Sequence, residues 1–401
     1  MAEKIPNVKN VQDADTGMYD ISGAGLIVRI LQSFNISVSR WQQAIVVLCI
    51  AWVPLAVLTV MDGTFLNGTD LPFIKDYSRQ GRLLLGVPML ILIQNLVYNK
   101  LPLVLQYVAE VLMEPKERES FIKGPLVKAR KNTNSMWMQG ILLALVVVVA
   151  ISPLGGGRFL DTHSELNSWF MSSQDGKITT TPAGKWMQFV SIPVFQFLYF
   201  RWLWRYFMWV ILMYRLSRVP LKLRPTSPDG SGGLSILMLA QRNFHFFFLV
   251  SGVVLSSSMI TSYTSGSLSF EALKVEIFGF ILLSLILIFF PLFFFAGQLI
   301  MTKYLGLLRI GRGGESMTEG FEDEWVRSVS GKGLKADDPM NPSTQVDFTG
   351  VYRNLMSFSI VPLRLGDIVL TSLLLFIPFV PVFFMHYSIV ELIEKIIGVM
   401  I

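Results

Sequence analysis

The stretch 186-WMQFVSIPVFQFLYFRWLWRYFMWVILMY-214, followed by RLSRVPLKL (215–223) and the turn RPTSPDGSGGL (224–234), decides the class of fold. A helix needs about 20 residues to cross the ~30 Å core of a bilayer, and this aromatic, apolar run exceeds that. Arg201 and Arg205 stand inside it at i, i+4, and therefore share a helix face. A charge within a membrane helix is expensive and marks a functional candidate. Counted at 1.5 Å per residue from Trp186 at the outer interface, Arg201 lies about 22 Å deep and Arg205 about 28 Å, in the inner leaflet. Two readings follow. The pair lines an anion path or holds an acidic headgroup, with Gln196 and Trp202 or Trp209 as polar and cation–π partners. Alternatively, both side chains snorkel to the inner interface.

The rest of the chain is of the same kind. Of its 401 residues 52% are hydrophobic and only 15% charged, where soluble domains carry nearer a quarter. Apolar runs long enough to span occur at Gln43–Val60, Leu83–Leu105, Met138–Leu154, Phe189–Tyr214, Phe244–Tyr263, Ile277–Ile300 and Ile368–Met385. An all-α polytopic membrane protein of about seven transmembrane helices is expected. With the N-terminus inside, lysines and arginines are roughly three times as frequent on inner as on outer segments, so the N-terminus is cytosolic and the C-terminus periplasmic or extracellular. The formal charge of +6 is then topological and no sign of nucleic acid. The polar start has no secretory signal pattern. A single cysteine, Cys49, excludes an internal disulfide and a thiolate metal cluster.

Residues 1–41 read as a cytosolic N-terminus whose Leu26, Ile30 and Phe34 fall at the spacing of an interfacial amphipathic helix. Residues 42–385 form one transmembrane unit. Helical pattern runs unbroken over Leu83–Met113, Trp186–Leu216 and Val275–Leu308, too long for a bilayer even when tilted. These helices are expected to continue into a cytosolic helical layer formed by 105–137, 215–243 and 301–366. Gly331–Gln345 reads as a loop, and Gly155–Lys185 as a polar outer loop. Pro378 and Pro381 are expected to kink the last span. Residues 386–401 read as an amphipathic helix on the outer face.

The polar residues inside this frame are few. Ser256, Ser257 and Thr261 give the fifth span a small, polar face that either permits close packing or lines a wet path. Gln94 and Asn95 add a polar step in the second span. Arg215 and Arg218 continue the basic character of Arg201 and Arg205 toward the cytosol. In the turn, successive N–H groups of Asp229, Gly230, Gly232 and Gly233 could cradle an anion, but the Walker lysine is missing and Asp229 disfavours phosphate. A structural turn is expected, with Asp229 capping the next helix or pinning an arginine. Asp161, His163 and Glu165 read as scattered polar residues of a loop rather than a metal site. No catalytic motif, metal site or cofactor motif is found.

Five segments, PTSPDGSGGL (225–234), FAGQL (295–299), FEDEW (321–325), VYRNLMSFSIVPL (351–363) and IPFVP (377–381), together resemble a family of uncharacterised bacterial multi-span inner-membrane proteins. The resemblance covers roughly the C-terminal half and implies a bacterial inner-membrane location and a single-unit fold, with no activity attached. Members of that family usually carry histidine where this chain has Ser227. The function expected is a channel or transporter-like pore for small ions, anions above cations because its internal charges are basic. It would sit in the lipid bilayer as a homo-oligomer with a basic cytosolic vestibule. The alternative is a non-transporting scaffold or lipid-binding regulator that docks a cytosolic partner.

Overall fold

The computed structural model describes residues 16–20, 39–98, 100–152, 168–174, 177–329 and 342–387, and within them the regular elements are helical apart from one two-stranded hairpin. Helix α1 is Arg40–Met61. Helix α2 runs Tyr77–Gln80, through a π-helical turn Gly81–Gly86, into Val87–Tyr98. Next come α3 (Leu101–Val111) and α4 (Pro115–Ile151), the latter interrupted at Asn134 and Ser135, where Ser135 caps the second part, Met136–Ile151. Strands β1 (Met171–Gln174) and β2 (Lys177–Thr180) pair antiparallel, Met171 opposite Thr180. Helix α5 joins Pro182–Trp186, a π-helical turn Met187–Ser191 and Ile192–Leu216. Helix α6 is Ile236–Thr264. Helix α7 joins Phe270–Phe289, the tight turn Phe290–Phe295 and Ala296–Val329. Helix α8 is Pro342–Met356 and α9 is Leu365–His386.

Among the described residues, five helices are long and apolar enough to cross a membrane: α1, α4, α6, α7 over Phe270–Asp323, and α9. Helix α5 is as long, but carries Arg201, Arg205 and Arg215 among its apolar residues. Local chemistry explains where helices begin and bend. Ser39 and Gln42 close a reciprocal capping box on α1, with Ser39 Oγ accepting from Gln42 N at 3.3 Å and Gln42 Oε1 from Ser39 N at 2.8 Å. Proline has no N–H to donate to the preceding turn. Pro193 follows the π-turn of α5, and Pro291 and Pro378 lie in the tight turns of α7 and α9, so these helices bend without ending.

Several expectations change. The pattern over Leu83–Met113 is divided: α2 ends at Tyr98, and α3 begins afresh at Leu101 with Pro102 in its first turn, where a missing N–H costs nothing. The segment 155–185, expected as a polar loop, holds the β-hairpin and the first turn of α5, which Thr181 caps by accepting from Gly184 N at 3.0 Å. Helix α8 begins at Pro342, inside the segment expected as a loop. The amphipathic patterns at 26–34 and after 386, and the group Asp161, His163 and Glu165, lie outside the described residues.

The last stretch of α7 alone has 34 residues, about 51 Å at 1.5 Å each, well beyond the ~30 Å of a bilayer core. Helix α8 lies antiparallel along it, with Leu355, Tyr352 and Phe348 over Gly306, Gly311 and Gly314. Helix α5 is enclosed by its neighbours. Ser191 Oγ donates to Ala51 O of α1 at 2.6 Å, Trp202 Nε1 to Leu90 O of α2 at 2.7 Å, and Gln188 Nε2 to Ala150 O of α4 at 2.9 Å.

Helices α2 and α6 approach more closely still. A Cβ on Gly81 would lie 1.9 Å from Ser257 Oγ, so only glycine fits there. Gly81→Ala is expected to destabilise the protein by about 1–3 kcal/mol through overpacking. Adding Ser257→Gly should recover most of the loss in thermal unfolding in detergent. Wild-type stability in Gly81→Ala alone would contradict the contact.

Candidate functional site

Leu198, Arg201, Trp202 and Arg205 recur at i, i+3, i+4, i+7 on α5 and face α1 and α2. With Arg40 and Gln43 of α1 and Leu90, Ile91 and Gln94 of α2 they enclose a cavity of about 20 Å³, room for a single water. Arg201 is 9% and Arg205 4% exposed, so both guanidinium groups lie between helices and do not reach outward along a lipid-facing surface. The carbon of the Arg205 guanidinium sits 5.4 Å from the Trp202 ring centroid, in the range of a cation–π contact. Arg40 is steered by its own helix, donating to Gln43 Oε1 at 3.1 Å. Three basic side chains from two helices and two carboxamides therefore share one enclosure. Gln94 belongs to it. The Asn95 side chain lies outside what the structure describes.

A second cavity, of about 230 Å³, opens further along the same α2–α5 seam and is closed by α6. Its polar wall is Arg82, Gln196, Tyr199 and Ser251, and the remainder is aliphatic and aromatic. Arg82 donates to Ser258 Oγ at 3.3 Å, and Tyr199 Oη lies 3.0 Å from Ser251 Oγ. Leu83 to Leu90 on α2, and Phe195 to Trp202 on α5, each advance seven residues between the cavities. The two chambers are thus stacked roughly 10 Å apart along parallel helices. Arg82 lies just before the apolar run Leu83–Leu105 and, from the sequence, belongs to the loop that precedes it. The start of α2 at Tyr77, capped by Asp76, instead carries it into the helical interface.

The other polar residues have different tasks. Ser78 N donates to Thr261 Oγ1 at 2.9 Å, Ser257 Oγ to Val253 O at 2.7 Å, and Thr261 Oγ1 to Ser257 O at 3.2 Å. Ser256 is buried as well, so this face of α6 meets α2 and lines neither cavity. Arg215 and Arg218 stand at the far end of α5, about 15 Å or more beyond Arg205. Arg218 there donates to Tyr214 Oη at 3.1 Å. They are not brought together with Arg201 and Arg205.

The glycine-rich turn holds an anion of its own. Gly230, Gly232 and Gly233 have φ of 66°, 66° and 97°, the left-handed region that favours glycine. Their conformation turns backbone N–H groups inward, and the Asp229 carboxylate fills the nest. It accepts from Ser231 N at 3.1 Å, Gly233 N at 2.9 Å and Ser235 N at 3.0 Å. Burial pushes the Asp229 carboxyl up. The N–H groups of Ser235, Gly233 and Ser231 and the Ser227 hydroxyl outweigh it and hold the group below the ordinary carboxylate range.

The segments 225–234, 295–299 and 351–363 meet at this turn: Ser359 N donates to Gly230 O at 2.8 Å, and a Cβ on Gly232 would lie 3.5 Å from Phe358 and 3.6 Å from Leu299.

A depressed folded-state pKa means stability that is fully present above the ordinary aspartate value of about 3.9 and is lost as pH falls through the folded-state value. Asp229→Ala is expected to cost about 1–2 kcal/mol at neutral pH. The gap from wild type should close on acidification, and Asp229→Asn should retain part of it. A gap independent of pH would contradict the account. Compared with protein-family models, with curated proteins and with solved structures, the chain matches none.

Proposed function

We propose that the chain is a gated, transporter-like membrane protein for small anions, with α2 and α5 crossing the bilayer beside the five apolar helices and the N-terminus in the cytosol. One observation carries the reading: Arg40, Arg82, Arg201 and Arg205, from three helices, line two cavities stacked along the α2–α5 seam. Arg201 and Arg205 are buried and Arg40 and Arg82 partly so, and basic side chains withdrawn from water attract anions more strongly than the same charges at a surface. The smaller cavity has room for about one water, so the seam is closed here and passage requires α2 and α5 to part. That favours gating or alternating access over a standing pore. The basic cytosolic vestibule attributed to Arg215 and Arg218 becomes, at most, the approach to this seam.

The test is anion uptake by vesicles reconstituted with the full chain, driven by an imposed potential. Uptake above that of empty vesicles, reduced by Arg205→Gln, supports the reading. A folded protein that stays silent under voltage, tension and anion gradients would favour the non-transporting alternative, in which the α7–α8 pair docks a cytosolic partner.

A further inference from the structure

We infer that the 230 Å³ cavity between α2, α5 and α6 is a binding site for a small anion that also carries a hydroxyl group, as a hydroxycarboxylate does. The polarity of its wall gives the argument. Arg82 is part of the wall, and with its hydrogen donated to Val254 O at 3.1 Å, Ser258 Oγ accepts from Ser78 Oγ at 3.0 Å and from Arg82 at 3.3 Å, which ties the guanidinium to α6. An anion is matched to that cation. Ser251 Oγ donates its one hydrogen to Phe247 O at 3.1 Å. The Tyr199 hydroxyl therefore donates to Ser251 Oγ across 3.0 Å, and its own oxygen remains an acceptor.

Beside it Gln196 Oε1 is buried and has no hydrogen-bond partner. A buried acceptor left unsatisfied is destabilising, and a ligand hydroxyl supplies what it lacks. The rest of the wall, including Phe195, Ile192 and Val254, suits a short hydrocarbon segment. The volume admits on the order of ten non-hydrogen atoms. A cation, two acceptors and an apolar remainder in one wall describe an anion that also carries a hydroxyl, available as a free hydroxycarboxylate or as the glycerol end of a phospholipid headgroup.

This assignment deepens the anion reading and rests on it for the charge of the ligand, but it is tested by binding alone, without transport. The probes are 3-hydroxybutyrate and butyrate, titrated calorimetrically into the full chain in detergent. A preference of roughly tenfold for 3-hydroxybutyrate is expected, lost in Gln196→Leu and preserved in Ser257→Ala. Arg82→Gln should abolish binding of both, and Arg82→Lys should restore part of it. Native mass spectrometry of the chain with phosphatidylglycerol against phosphatidic acid is the lipid arm. Retention of phosphatidylglycerol, dependent on Gln196, assigns the headgroup as the source. Equal affinity for both carboxylates together with equal retention of both lipids, or binding indifferent to Gln196→Leu, overturns the proposal. Flux through the seam with no ligand preference would overturn this proposal and leave the anion reading standing.

Discussion

Asp76→Ala is expected to destabilise the protein by about 3–5 kcal/mol, the largest single loss of stability among the substitutions considered. Asp76 is fully buried and accepts from Arg79 Nη1 at 2.5 Å, from Arg79 N at 3.1 Å and from Trp169 Nε1 at 3.0 Å. The Arg79 guanidinium is 6% exposed and lies 3.8 Å from the Phe170 ring centroid. One carboxylate thereby joins the first turn of α2 to the segment that precedes the β-hairpin. Its removal takes a buried carboxylate away from a buried cation, and desolvation makes that far costlier than losing a surface pair. Replacing both partners, Asp76→Leu with Arg79→Leu, should recover much of the loss, because apolar residues of similar size substitute well for a buried ion pair. Thermal unfolding of the four chains in detergent gives the coupling directly. Additive effects would show that the pair is not the source.

The second large effect concerns Arg201 and Arg205. Each charge removed by Arg→Gln at these positions is expected to lower anion flux by on the order of tenfold, equivalent to about 1.4 kcal/mol. Arg→Lys should fall between, because lysine keeps the charge but not the planar fork that grips an oxyanion. Arg205→Glu should reverse the preference toward cations, as the sign of the lining charge sets selectivity at close quarters. Folding serves as an internal control. The bond from Trp202 Nε1 to Leu90 O involves neither arginine, so thermal stability should change much less than flux. Loss of flux in step with loss of stability would instead mark the arginines as structural.

Helix content and membrane class were legible in the chain because apolar runs are long and charges between them are biased, and both are local, additive signals. The glycine-rich segment was readable as a turn, since Pro, Asp and three glycines leave few alternatives, but not that the Asp229 carboxylate fills its nest. What could not be read was which faces meet. Arg82 looks like an outer-loop residue until the Asp76 cap draws α2 outward by a turn and a half. Ser257 offered packing and a wet path alike, and the choice rests on Gly81, 176 positions away in sequence, whose missing side chain admits the hydroxyl. The π-turns before Val87 and Ile192 shift the helical phase, so periodicity alone misassigns the faces beyond them. Gln196 was visible as a polar residue near Arg201. It stands instead in the neighbouring cavity, one face round the helix.

The central claim, an anion path along the α2–α5 seam, is tested most directly by the reversal potential of purified protein in a planar bilayer separating unequal concentrations of potassium chloride. The chloride and potassium equilibrium potentials have opposite signs under these conditions. Currents that reverse near the chloride potential, and move toward the potassium potential in Arg205→Glu, are predicted. Reversal at the potassium potential in the wild-type protein, or no current from folded protein under any voltage, would contradict it.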